Sequence, residues 1–249
     1  MVLLAVPLNS LAPTTCELRL DSGRTLRYMA PESANPRTEI SGLDSEPSFT
    51  GRKRTLSERL ALEDWEGVNT LTHALDLTVE VDLETSLFHG KKVLEIGFAS
   101  GLPSVYAWES GAAELAIHHP SKTALELYTL PTLRRNNIPP NKCKLGSGTL
   151  EDLKKMIGSN KFDVILGADI LNRDSSEYEL LHEIISDALA DDGICVFSAQ
   201  TLYTSVDGCL AKFLTVAKNA RKLDALERWS SPRTDVIQRK VVQLTKSLF

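Results

Sequence analysis

The chain has 249 residues, 42% of them hydrophobic, and carries 28 lysines and arginines against 33 aspartates and glutamates for a net charge of −5. That length suffices for one substantial core and makes a second full domain unexpected. The negative balance argues against a general polyanion-binding surface, so direct nucleic-acid binding is not expected and a basic partner is more natural.

Met1–Val6 is a short apolar run that lacks a positive leader and meets Pro7 early, so no secretory signal is expected. No later stretch approaches the roughly 18 uninterrupted apolar residues of a membrane span. Cys16, Cys143, Cys195 and Cys209 are scattered without Cys-x-x-Cys spacing or a neighbouring His cluster. That pattern fits core thiols of a reduced intracellular protein and argues against disulfides or a metal centre. A monomer in the cytoplasm or nucleus, away from membranes, is the expectation.

Residues 16–29 alternate apolar Cys16, Leu18 and Leu20 with charged neighbours, pass through Asp21-Ser22-Gly23 and resume at Leu26 and Tyr28, which reads as a β-hairpin. Residues 30–58 are rich in Pro, Ser, Glu and Arg without apolar periodicity and read as a linker. The expected organisation is therefore an N-terminal extension over 1–58 and a folded domain over 59–249. From Trp65, the positions of Val68, Leu71, Leu75 and Leu77 are near helical spacing.

The most informative stretch is Lys91 to Pro103. Val93, Leu94 and Ile96 form the apolar run of a strand buried on both faces, and Gly97 and Gly101 follow in a tight turn before Pro103 opens a helix. The spacing Glu95-x-Gly97-x-x-x-Gly101 departs from the Gly-x-Gly-x-x-Gly of dinucleotide sites, because Ala99 and Leu102 break that pattern. Glu95 lies inside the apolar run, where a carboxylate needs hydrogen-bond partners.

A β/α alternation follows: a strand over 115–118, a helix over 121–136 interrupted by Pro131, and a strand over 142–145. Then come a helix over 150–157, a strand over 162–166, a helix over 178–189 stopped by Asp191-Asp192-Gly193, and a strand over 194–199. A helix over 208–220 and strands over 225–229 and 236–244 close the chain. Seven strands in this order predict an α/β, doubly wound sheet ending in an antiparallel hairpin. Ligands of such sheets bind beyond the carboxyl ends of the strands. There the sequence places Gly97 to Gly101, then His118-His119-Pro120, then Gly146-Ser147-Gly148-Thr149, and finally Gly167-Ala168-Asp169-Ile170-Leu171-Asn172. Thr149 and Asp152 also have the spacing of a capping box.

Glu-x-Gly-x-x-x-Gly after a strand resembles motif I of seven-strand S-adenosylmethionine-dependent methyltransferases, with Ala99 where most members have a third glycine. Trp65-Glu66-Gly67, Gly101-Leu102-Pro103, Thr129-Leu130-Pro131 and Ala199 to Gly208 resemble the protein-histidine methyltransferases that modify a ribosomal large-subunit protein. These belong to a wider methyltransferase-like group that includes protein-lysine methyltransferases. The resemblance implies S-adenosylmethionine as donor and a protein histidine as acceptor. It implies Trp65, Glu95, Gly97, Ser100, Gly101, His119, Gly148, Thr149 and Ala168 as cofactor-binding residues, with Asp169 and Asn172 as catalytic residues. Asp169 would orient the acceptor imidazole, and His119, standing where an acid is usual, would accept one ribose hydroxyl. Leu202 and Asp207 stand where the family carries a histidine and a glycine run. A lysine acceptor, or a noncatalytic scaffold on the same fold, remains as an alternative.

Overall fold

The computed structural model describes residues 13–31, 56–235 and 238–247. Seven strands form one sheet in the order β5-β4-β3-β6-β7-β9-β8. β3 (Lys92–Gly97), β4 (Glu114–His119), β5 (Cys143–Ser147), β6 (Phe162–Ala168) and β7 (Leu189–Gln200) pair in parallel, while β9 (Arg239–Lys246) inserts antiparallel between β7 and β8 (Leu223–Ser230). The expected doubly wound architecture with a C-terminal antiparallel hairpin is thus present. The chain runs outward from β3 to β5 and then returns to β6 beside β3, so the topological switch point lies between the carboxyl ends of β3 and β6.

Two apolar layers flank the sheet because alternate residues of each strand point to opposite faces. Val93, Leu115, Ile117, Val164 and Leu166 pack on one side beneath α1 (Leu56–Asp76), α2 (Leu102–Glu109) and the helical segments Lys122–Ala124, Leu125–Thr129 and Leu130–Arg135, here together α3. Leu94, Ile96, Ala116, Ile165 and Phe197 pack on the other beneath α4 (Leu150–Ile157), α5 (Tyr178–Ala188) and α6 (Leu210–Ala220).

β1 (Pro13–Arg19) and β2 (Thr25–Pro31) make the N-terminal hairpin, whose Leu18, Leu26 and Tyr28 join the first apolar layer. Its turn is fixed by the Ser22 amide and hydroxyl donating to Asp76 at 2.9 and 2.8 Å, and by the Arg24 guanidinium 4.7 Å above the Tyr106 ring. The Met29 amide donates to Thr132 Oγ1 at 2.9 Å. The linker reading of 30–58 falls on residues 32–55, outside the described residues. At its edges Ala30 and Pro31 are strand and residues 56–58 are helix. The start expected for the last strand, Val236, is also outside them.

The helical run over 122–135 is divided at Pro131: the wide π-type turn Leu125–Thr129 precedes it and the proline enters at the start of the next segment, where no amide donor is needed. One expectation is corrected. Asp191-Asp192-Gly193 does not cap α5, since Leu189 already turns extended and these residues lie inside β7. Gly193 sits where the register to β6 shifts, and a Cβ there would lie 3.0 Å from the carbonyls of Phe162 and Asp163. No helix of the described residues is long and apolar enough to cross a membrane.

Candidate active site

The turn after β3 is closed by its own amides. Gly97 adopts φ +78°, and a Cβ there would lie 2.6 Å from the Ala168 carbonyl oxygen, so glycine is required by the contact with β6 itself. Phe98 N donates to Ala168 O at 2.9 Å, Ala99 N to Gly97 O at 2.8 Å and Ser100 N to Phe98 O at 2.9 Å. Gly101 N and Ser104 N donate to the two Glu95 oxygens at 2.9 and 3.0 Å. Leu102 N donates to Ser100 Oγ at 3.2 Å. Glu95 is wholly buried, and that burial pushes its pKa up to about 7 against the two amide bonds. Its carboxylate occupies the amides at the start of α2, which a ligand anion would otherwise take.

Behind this turn the Trp65 indole is 2% exposed and packs with Tyr28, Phe98 and Tyr128, at ring separations of 5.5, 5.2 and 6.0 Å. Thr129 donates its hydroxyl to the Ala99 carbonyl at 2.8 Å, which ties α3 to the loop. His119 belongs to this layer: its ring lies 5.3 Å from that of Phe98, and its Nδ1 accepts from Ser121 N at 2.9 Å. Burial lowers its pKa to about 4. The ring is therefore neutral, with the remaining hydrogen on Nε2. His119 is left a donor, so it does not fill the hydroxyl-accepting role expected from the sequence.

A cleft of about 580 Å³ opens at the switch point, lined by Gly97 from β3, His118 from β4 with Pro120 just after it, Gly148 and Thr149 from the β5–α4 turn, and Glu151 from the first turn of α4. Asn172, Arg173 and Glu177 complete its polar lining beyond β6. Four expected residues, Gly97, Gly148, Thr149 and Asn172, meet there. Trp65, Glu95, Ser100, Gly101, His119 and Ala168 are buried behind it and shape the loop. Thr149 and Asp152 form the expected capping box, Asp152 N donating to Thr149 Oγ1 at 3.3 Å and Thr149 N to Asp152 Oδ2 at 3.1 Å. The sequence reading missed His118, Glu151 and Arg173. Period-two alternation along β4 is the signal that separates His118 from His119.

Asp169 stands at the end of β6 in a left-handed conformation, φ +44°, and its side chain is 1% exposed. Arg239 Nη1 donates to both of its oxygens at 2.5 and 2.6 Å, and the Tyr203 hydroxyl donates at 2.9 Å. Burial drives the carboxyl up to about 6 against the opposing pull of Arg239. Gly67 of α1 lies against it, where a Cβ would overlap the carboxylate, and the Gly67 carbonyl accepts from Ser198 Oγ at 2.8 Å. Asp169 and Asn172, both expected as catalytic residues, face different surroundings: Asn172 lines the cleft and Asp169 faces Arg239. Arg239 lies 70 residues away on β9, which local reading does not reach.

The sheet order, the glycine turn and the cleft converge on one fold. No protein-family model matches the chain. A crystal structure of a candidate methyltransferase, SMU.776, complexed with S-adenosylhomocysteine, superposes with a TM-score of 0.55 at 13% identity, covering 98% of this chain and 58% of that one. The fold is accordingly that of the S-adenosylmethionine-dependent methyltransferases. A Caenorhabditis elegans protein named as uncharacterized protein F22B7.9 is 51% identical over 249 residues, the whole of both chains. The chain belongs to one family with this nematode protein. A Dictyostelium discoideum protein named histidine protein methyltransferase 1 homolog is 32% identical over 134 residues, 54% of this chain and 43% of that protein. The match therefore spans less than half the length of that relative.

The cleft fits S-adenosylmethionine as donor. Its volume is in the range of small-molecule sites, and Gly97, Gly148, Thr149 and Asn172 all line it.

Proposed function

We propose that the chain is an S-adenosylmethionine-dependent protein methyltransferase whose acceptor is a histidine side chain, with a ribosomal protein as the substrate, acting as a monomer in the cytoplasm or nucleus. The observation that carries this reading is the cleft at the β3–β6 switch point, walled by the glycine turn and by residues that follow four successive parallel strands. The likeness to the proteins named histidine protein methyltransferase supports the choice of acceptor.

A bound S-adenosylmethionine would supply a methyl group already activated by its sulfonium. Gly97, Gly148 and Thr149 would hold it in the cleft, and Trp65, Glu95, Ser100, Gly101, His119 and Ala168 would keep the walls in shape from behind. Asn172 reaches the same cleft and would steer the acceptor. Asp169 acts as a positioning residue: its salt bridge to Arg239 and its amide bond to Ser198 fix the start of the segment that presents Asn172, whose own amide donates to the Asp169 carbonyl at 3.0 Å. An imidazole with a pKa of about 6.5 is largely neutral at pH 7 and presents a lone pair without a strong base. The modest acid–base equipment of the cleft is sufficient for that acceptor, since positioning and water exclusion do most of the work.

A lysine acceptor is the second reading. A second cleft of about 470 Å³ is lined by Glu66, Asp235 and Trp229 together with Arg239, and carboxylates beside an aromatic wall are the surroundings that a cationic amine favours.

Incubation with isotopically labelled S-adenosylmethionine and basic peptides containing histidine or lysine, followed by mass spectrometry of the products, tests the proposal. Label on histidine is the expected result. Label confined to lysine moves the acceptor to the second reading, and no label on any peptide or on purified ribosomal proteins contradicts the enzymatic reading.

A further inference from the structure

The antiparallel end of the sheet carries the second cleft, and its chemistry differs from that of the first. The last residues of β7 and β8 and the first of β9 lie on the same rim of the sheet as the carboxyl ends of β3 and β6. There Gln200, Trp229, Asp235 and Arg239, with Glu66 of α1, line a space of about 470 Å³. A bulge brings Trp229 to this position: Glu227 pairs with Val242 and Trp229 with Val241, so Arg228 is the extra residue of β8. The Trp229 side chain is half-buried and packs on the first apolar layer. Arg239 is the one cation among the lining residues, and its charge is answered from beneath by the Asp169 carboxylate at 2.5 Å. Glu66 stands 3.8 Å from Arg239 with its side chain 71% exposed, and Asp235 is exposed as well. Three carboxylates against one guanidinium leave the mouth anionic, beside an aromatic wall. Such surroundings attract a cationic side chain by charge and hold its stem by packing.

We propose that this cleft is a docking subsite for a lysine or arginine side chain of the acceptor polypeptide, one that flanks the methylated residue. This rests on the protein-histidine reading given above and deepens it by naming the substrate as a histidine within a basic stretch. The net charge of −5 complements such a chain. Neighbouring strands are about 4.8 Å apart, so β9 and β8 lie roughly 10–20 Å along the rim from the switch point, the reach of about three to six extended residues. That span sets the spacing between the acceptor and the docked cation.

The first measurement is NMR of the full chain with nitrogen-15 in its indoles, titrated with N-acetyl-lysine amide, N-acetyl-arginine amide and the uncharged N-acetyl-norleucine amide. The Trp229 indole signal is identified by its loss in Trp229→Phe. The two cations are expected to shift that signal with millimolar affinity, and norleucine to leave it in place. An exposed charge pair contributes up to about fivefold in affinity, so Glu66→Gln/Asp235→Asn should weaken binding about tenfold, with thermal unfolding confirming that the variant is folded. No shift with either cation, an equal shift with norleucine, or unchanged affinity in the double variant overturns the proposal. The second measurement is labelled methyl transfer to histidine peptides carrying one arginine at successive distances from the acceptor. Arginine at about three to six residues should lower KM about tenfold relative to alanine, and the double variant should lose that advantage. An advantage that is the same at every spacing, or that survives in the double variant, overturns the proposal. Transfer to a lysine at that spacing in preference to the histidine overturns it in favour of the lysine acceptor. No transfer to any peptide, with the probe shifts intact, overturns the enzymatic reading and the substrate role of the cleft with it; lost probe shifts with transfer intact overturn this inference alone.

Discussion

The two sides of the switch point handle polarity in opposite ways. Over β3 to β5 the fold leaves an open cleft; over β6, β7 and β9 it brings together Asp169, Arg239, Tyr203 and Ser198 so that the buried carboxylate meets two donor groups, Arg239 and Tyr203, while the Asp169 amide donates to Ser198 Oγ. A closed network of this kind rigidifies what surrounds it. The contrast separates an open cleft from a strut beside it.

The largest effect is expected at the wall that the two sides share. Gly97→Val should cost more than about 3 kcal/mol and yield little folded protein in circular dichroism, because the added atoms meet the Ala168 carbonyl and Ile170. The steric demand at Gly97 comes from β6, so loss of donor binding in this variant would report unfolding.

Removing one partner of the strut comes next. Arg239→Leu should destabilise by about 3–5 kcal/mol by leaving the Asp169 carboxylate buried and uncompensated, and thermal unfolding should show Asp169→Asn recovering much of that loss in the double variant. Asp169→Asn alone should lower methyl transfer by roughly 100-fold, through misplacement of Asn172, with donor affinity near wild type. Equal loss of both would place Asp169 in the donor cleft after all.

Glu95 gives a pH signature. Its folded pKa, near 7, exceeds that of the unfolded chain, so the native state holds the proton longer and stability from this group falls as pH rises from about 4.5 through 7. Glu95→Gln lacks that dependence. Its melting temperature should be below wild type, with a deficit that shrinks as pH rises across this window; a deficit that widens contradicts the assignment. The smallest effect is at the rim, where Thr149→Ala removes the capping box of α4 and should cost about 1 kcal/mol in thermal or denaturant unfolding.

The sequence showed the layout of the sheet because parallel strands buried on both faces are written as short apolar runs, and the Thr149 capping box was legible from local spacing. What it hid was non-local or directional. The insertion of β9 between β7 and β8 follows from no spacing in the chain, and with it went the Arg239 partner of Asp169. Gly193 reads as a helix stop by residue type, yet the structure uses it where β7 packs closely on β6. The His118-His119 pair marked the right place but not the right residue, because strand alternation fixes that the two point apart without saying which face holds the cleft. Glycines 97 and 101 signalled a tight turn, while the carboxylate that gathers its amides was visible only as an acid out of place in an apolar run.

The central claim is that the switch-point cleft binds an adenosyl sulfonium compound, and calorimetric titration of the wild-type chain with S-adenosylmethionine tests it most directly. The account predicts saturable heat at a single site with micromolar affinity. No heat at millimolar donor would contradict it.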